Sequence, residues 1–249
     1  MAYNDIYPNH FADKYNNIPY VILDVPSIIP DDNFMEVWQA NNVPILRKPD
    51  KIDPKYPFTP AEAQAEFIRS GRTNEYTMPN WLGMTAFTTS VADDRWTNSV
   101  IDGPTLLPKF FKQLHDYLPI RKLNQVLFWS NQRIIGIHRD LNEQLPFPSS
   151  VRLMIHDENT RPTFFLVPMD ESASPHELSK HPKEWNHAKF INAGTAASNA
   201  FMYNNKQWAH GALKDEGYSK ILCSLSIDYD WVKFEELLDR SIARNGNNL

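Results

Sequence analysis

The 249-residue chain has a single cysteine, Cys223, and only 8 glycines. One thiol excludes an internal disulfide framework and a cysteine-rich zinc site. Glycine stands at about half its usual frequency, and no G-x-G-x-x-G or G-x-x-x-x-G-K spacing occurs. Folds that cradle phosphates in such loops are therefore set aside. Apolar runs end after a few residues, too short to cross a bilayer as a helix. The opening Met1-Ala2-Tyr3-Asn4-Asp5 carries neither the positive nor the apolar region of a signal peptide. With one cysteine, this leads us to expect a reduced, cytoplasmic protein. Lys+Arg 25 against Asp+Glu 30 gives a net charge of -5 and a pI near 5.9. No cation excess is available for phosphate backbones, so neither nucleic acid nor membrane is an expected partner. Oligomeric state is not legible.

Proline is plentiful, with 19 residues, and cuts the chain into short elements that suit strands better than a helical bundle. In the first half, Thr59-Pro60-Ala61-Glu62 forms a capping box with proline at the first helical position and predicts a helix to about Ser70. Leu106, Leu107, Phe110, Phe111, Leu114 and Leu118 fall at helical spacing over 105–118. Residues 70–100, rich in Asn, Thr and Trp without clean periodicity, read as a long ordered loop. Its 70–97 stretch, with Asn80, Trp81, Arg95 and Trp96, is a candidate substrate lid.

The second half changes character. Apolar, β-branched and aromatic runs recur at 126–130, 133–138, 151–156, 163–167, 189–192, 199–203 and 219–228, with a polar insertion at about 169–188. Seven or eight short strands indicate a sandwich or barrel. A helix at 231–244, with Phe234, Leu237, Leu238 and Ile242 on one stripe, follows. The fold class expected is mainly β with flanking helices: a β-barrel or jelly roll fed by an α/β N-terminal portion. One domain, 1–249, would comprise a mixed N-terminal portion (1–120), a β core (121–230) and a C-terminal helix and tail (231–249).

His138-Arg139-Asp140 is an H-x-D tripeptide, of which about 0.6 are expected by chance from 8 His and 18 Asp. Its position tells more than its composition. His138 ends a strand-like run, and residues two apart on a strand share a face. His210, in Trp208-Ala209-His210-Gly211, follows another such run 72 residues later. Two imidazoles and one carboxylate make a facial triad, which occupies one face of an octahedral Fe(II) and leaves three positions open.

Alternation over 219–228 puts Lys220, Leu222, Ser224 and Ser226 on one face and Ile221, Cys223, Leu225 and Ile227 on the other. The second set is a core face. A cation on the first needs a partner, because an unpaired buried ammonium is costly, and a dicarboxylate ligand would supply one. In 151–156, Arg152, Met154 and His156 alternate with Val151, Leu153 and Ile155. Arg152 on a cavity wall would suit the carboxylate of a co-substrate or substrate.

His-Arg-Asp, Val-Arg-Leu, Trp-Ala-His-Gly and a basic residue ten positions after His210 together resemble the Fe(II)/2-oxoglutarate-dependent oxygenases. Within them the pattern is most similar to the aspartyl/asparaginyl β-hydroxylase-like branch, which includes small free-proline hydroxylases. The resemblance covers about 126–230 and implies a double-stranded β-helix (jelly-roll, cupin-like) core. By it, His138, Asp140 and His210 bind iron, Lys220 holds the distal carboxylate of 2-oxoglutarate, and Arg152 contacts the metal-proximal carboxylate or the substrate. It implies O2-dependent hydroxylation of an amino acid, peptidyl side chain or related small molecule, with release of succinate and CO2. The chain departs from that branch in two places. Lysine stands at 220 where arginine is usual, and Met154 stands where a histidine is usual, with His156 two residues on along the same alternation. Asp140 favours hydroxylation over halogenation, since halogenating relatives carry a small residue there.

Plainer readings stand beside these. H-x-D can be a surface turn, Lys220 a strand-edge lysine, Arg152 a salt-bridged strand residue and His156 a hydrogen-bonded barrel histidine. His115 reads as structural, His176, His181 and His187 as solvated loop residues, and Cys223 as a packing thiol. Two other function classes remain: a cupin-like metalloprotein (isomerase or O2-only dioxygenase) without 2-oxoglutarate, and a non-catalytic β-sandwich binding module.

Overall fold

The computed structural model describes residues 14–15, 18–44, 81–89, 99–131, 135–138, 151–157, 164–168, 189–191, 198–204, 208–212 and 220–245. The described elements are, in order, β1 (Tyr20–Ile22), α1 (Phe34–Asn41), β2 (Val43–Pro44), β3 (Trp81–Thr88), α2 (Gly103–Leu106) and α3 (Pro108–Tyr117). There follow β4 (Ile120–Asn131), β5 (Ile135–His138), β6 (Val151–Asp157), β7 (Phe164–Pro168), β8 (Lys189–Ile191), β9 (Ala200–Tyr203), β10 (Trp208–Ala212), β11 (Lys220–Tyr229) and α4 (Trp231–Asn245). A seven-stranded sheet has the order β1-β9-β6-β11-β4-β3-β2, and a four-stranded sheet the order β5-β10-β7-β8. Neighbouring strands in both sheets run antiparallel. From β4 onward the chain passes back and forth: β4, β6, β9 and β11 belong to the larger sheet, β5, β7, β8 and β10 to the smaller.

β11 organises the larger sheet. Its alternating Ile221, Cys223, Leu225 and Ile227 are all buried in the main core, as a period of two demands. Phe128 of β4 lies on that face between Phe34 of α1 and Phe110 of α3, at ring-centroid distances of 5.0 and 5.2 Å. Helix α4 contributes Phe234, Leu237 and Leu238. Each such side chain contributes about 1.5–3 kcal/mol by leaving water, so this face carries most of the stability. Leu222, on the other face, joins a second apolar cluster with Trp129, Met154, Phe201 and Tyr203.

Polar groups fix how the helices and the first strand sit on the sheet. Asp31 accepts from the backbone N–H of Lys109 and Phe110 at 3.1 and 2.9 Å, satisfying donors that the first turn of α3 leaves open. Gly103 lies so close to β3 that a Cβ would fall 2.2 Å from the Ala86 carbonyl oxygen. Any side chain there would push α2 off the sheet. Asp24, after β1, accepts from Arg240 Nε at 2.9 Å and from Arg244, while its N–H donates to Ser241 Oγ at 2.8 Å. Both arginines are largely exposed, so the ion pairs orient α4 more than they stabilise it. No described helix is long and apolar enough to cross a membrane.

Comparison with the sequence reading is close in the second half. Expected strands at 126–130, 133–138, 151–156, 163–167, 189–192, 199–203 and 219–228 correspond to β4–β9 and β11, and the expected C-terminal helix to α4. Four readings change. Residues 81–88 are not loop but β3, whose Met84 and Ala86 are core residues; the small or polar Gly83, Thr85 and Ala86 blur the alternation. Of the 105–118 stripe, Leu106 is exposed because a break at Leu107 separates α2 from α3. His115 is solvent-facing in the last turn of α3, where a basic residue suits the helix dipole. His210 follows the expected strand β9 but itself lies within a further strand, β10. The predicted 59–70 helix, the 169–188 insertion and most of the proposed lid, Asn80, Arg95 and Trp96 among it, lie outside the described residues.

Asn199 ties the first strand's continuation to the sheet. Its side chain accepts from Ile28 N–H at 2.8 Å and donates to Ile28 O at 2.8 Å and Met154 O at 2.9 Å. Asn199→Ala strips three backbone groups of partners and is expected to cost about 2–3 kcal/mol. Urea unfolding measures it, with Val232→Ala, at an exposed position, as a control near zero.

Candidate functional site

Two antiparallel ladders carry the described residues singled out by the sequence, His138 and His210 in one and Arg152, His156 and Lys220 in the other. In the smaller sheet, His138 and His210 are Cα partners in the β5–β10 pair. His138 is the last residue of β5, an edge strand, and His210 sits in β10, which also pairs with β7 through His210 and Leu166. Directly opposed positions of an antiparallel pair lie on the same face, with Cβ atoms about 4.5–5.5 Å apart. A register shift between His210 and Ala212 places a bulge beside the pair, a common feature next to functional sites. Asp140, two residues beyond β5, lies outside the described residues. Among the described residues, no three His, Cys, Asp or Glu side chains gather in a metal-binding group.

In the larger sheet, the face opposite the main core holds Arg152. Its guanidinium carbon lies 5.6 Å from the centre of the Tyr203 ring, and Nη2 is 3.5 Å from the Tyr203 hydroxyl. That is a cation–π contact with at most a weak hydrogen bond. Tyr20 is the cross-strand partner of Tyr203 and its phenol is pushed up by burial. On the next strands, Trp129 Nε1 donates to Ser224 Oγ at 2.7 Å, and Ser224 is the partner of Arg152. Trp129, Met154, Phe201 and Leu222 form the apolar ground between these polar groups.

Lys220 starts β11 and pairs in register with Asp157, the last residue of β6. Arg152 pairs with Ser224, four residues along β11, or about 13 Å at ~3.3 Å per residue. Arg152 also leans toward Tyr203, which the β6–β9 register places beyond the other end of β6. The two basic residues thus occupy opposite ends of one ladder.

His156 does not share the face of Arg152 and Met154. The register shifts between Ile221 and Leu222, so Leu222 pairs with Met154 but Ile221 pairs with His156. Ile155 is the extra residue of a bulge, and the alternation flips after it. The Met154 N–H at this point donates to the Asn199 carbonyl at 3.0 Å.

Tyr20, Tyr203, Trp129 and Asp157 escaped the sequence reading as site neighbours, whereas alternation had already set Ser224 on the face of Lys220. Only Tyr203 left a local signal, two residues after Phe201 on the same alternation; the others depend on which strands become neighbours.

No protein-family model matches the chain, and no curated protein matches it in sequence. Among solved structures, a 2OG-Fe(II) oxygenase family oxidoreductase from Burkholderia pseudomallei is similar at 10% identity and a TM-score of 0.39, over 89% of this chain and 90% of that one. HygX from Streptomyces hygroscopicus, solved with nickel, 2-oxoglutarate and hygromycin B, is similar at 9% identity and a TM-score of 0.42, over 89% of this chain and 87% of that one.

Cys223 is on the core face, fully buried, and burial pushes its thiol well above the ordinary range. It is a packing group, not a nucleophile. A disulfide-exchange reagent at neutral pH should leave it untouched until the protein unfolds in denaturant; stoichiometric reaction of the native protein within minutes would contradict that role.

Proposed function

We propose that the protein is an Fe(II)- and 2-oxoglutarate-dependent dioxygenase that hydroxylates an unactivated C–H of an amino acid, a peptidyl side chain or a related small molecule. The observation that carries this reading is the pairing of His138 with His210 across two strands. Seventy-two residues of sequence separate them, and the register sets them on directly opposed positions. With Asp140 two residues on, the donor set is two imidazoles and a carboxylate, which fits Fe(II) with open positions.

The alternation of β4–β11 between two antiparallel sheets supports reading this core as a double-stranded β-helix, the eight-stranded jelly roll. Asn199, bonded to both Ile28 and Met154, supports reading 1–249 as one domain. The aspartyl/asparaginyl β-hydroxylase-like assignment rests on the sequence motifs, and Lys220 and Met154 set this chain apart from that branch. The single buried Cys223 is in keeping with a reducing, cytoplasmic setting.

When bound, Fe(II) with 2-oxoglutarate and O2 supplies the oxidising power, yielding succinate, CO2 and a hydroxylated product. The chain's own residues hold and orient. His138, Asp140 and His210 hold the metal. Lys220 takes the distal carboxylate of 2-oxoglutarate. Arg152, at the other end of the ladder and braced on Tyr203, is reserved for a second anion, the carboxylate of the substrate. Trp129, Met154, Phe201 and Leu222 give the space between them an apolar floor, which keeps water from the reacting centre.

Anaerobic addition of Fe(II) and 2-oxoglutarate should produce the metal-to-ligand charge-transfer band of the chelate. The band should vanish in His138→Ala and need at least tenfold more 2-oxoglutarate in Lys220→Ala. Iron binding without the band would favour the cupin-like reading; no iron binding would leave a binding module.

A further inference from the structure

The β6–β11 ladder sets an aspartate, Asp157, directly opposite Lys220. Nothing in the proposed function requires a carboxylate there. The bulge is what puts it there. Leu222 pairs with Met154; had the ladder continued without an extra residue, Ile221 would face Ile155 and Lys220 would face His156. Because Ile155 is inserted, Ile221 takes His156 and Lys220 takes Asp157. Bulges next to active sites re-aim side chains, and this one exchanges an imidazole for an acid opposite the one cation that the proposed reaction assigns to its co-substrate. Asn199 secures the insertion, bonding both the N–H and the C=O of Met154.

We propose that Asp157 is the built-in counter-ion of Lys220, displaced by the distal carboxylate of the co-substrate. The inference rests on the reading of Lys220 given above. Opposite charges on directly opposed strand positions attract, while a carboxylate opposite Lys220 repels an incoming dicarboxylate. Both effects weaken 2-oxoglutarate, and neither touches a 2-oxo acid that lacks the distal carboxylate. Asp157 therefore sets co-substrate affinity and is a positioning residue, not a catalytic one.

The test uses full-length protein with Fe(II), without oxygen, titrated with 2-oxoglutarate and in parallel with 2-oxobutyrate, and read by the chelate band. Asp157→Asn should bind 2-oxoglutarate about two- to five-fold more tightly, the fold-change of one cross-strand ion pair, and leave 2-oxobutyrate unchanged. In a Lys220→Met background the gain for 2-oxoglutarate should shrink, because only the repulsion is left to relieve, and 2-oxobutyrate should again be unchanged. Unchanged or weaker 2-oxoglutarate binding in Asp157→Asn, or a gain undiminished without Lys220, overturns the inference while leaving the oxygenase reading intact. Absence of the band in wild type overturns the oxygenase reading and the inference with it. Should Asp157→Asn misfold by circular dichroism, Asp157→Ser is judged by the same outcomes.

Discussion

Register is the constraint from which the rest of this structure follows. A strand's side chains alternate with a period of two, so a slip of one residue would exchange its faces. β11 cannot slip, because Ile221, Cys223, Leu225 and Ile227 are committed to the main core. With that face fixed, Leu222 and Ser224 are delivered to the other side, and the ladders with β4 and β6 then fix Trp129 and Arg152 beside them. Hydrophobic burial on one face thereby positions polar groups on the other, without those groups having to stabilise the fold themselves.

Bulges are where that rule is deliberately broken. Each costs some ladder hydrogen bonding and leaves a residue unpaired. The bulge at Ile155 is secured by Asn199, which replaces part of what the ladder loses. A second lies beside the paired histidines, and three further register shifts fall in the β11–β4 and β3–β4 ladders. Register shifts are thus spread over the ladders, and the two beside the candidate metal and co-substrate residues suit a sheet that must aim particular side chains there.

Legibility in the sequence tracked the same physics. β6, β9 and β11 were readable because apolar residues fill both faces or alternate without interruption. β3 was hidden: its core residues Met84 and Ala86 are separated by Thr85, and Gly83 breaks the apolar run. β10, Trp-Ala-His-Gly-Ala, carries too little β-branched character to announce itself, yet pairing on both sides makes it a strand. His138, Asp140 and His210 could be singled out by residue type and spacing alone. Their opposition across a ladder could not, since sequence distance says nothing of register. His156 shows the reverse failure: strict alternation placed it beside Arg152, and one inserted residue moved it to the position opposite Ile221.

Lysine at 220 gains a physical reason from its neighbour in register. The resembling branch usually places arginine at this position. Facing an aspartate, a guanidinium would match the carboxylate with two parallel hydrogen bonds and hold it in a fixed fork. Such a pair would be slow to yield to a second carboxylate and would leave little charge for it. An ammonium has no fork: it is a compact charge on a flexible stem, able to pass from one carboxylate to another at small cost. In the proposed site, then, lysine opposite Asp157 is the cation that could be neutralised at rest and still be given up to a co-substrate. The departure from the resembling motif and the presence of the acid become one feature, with the inserted Ile155 as its structural cause.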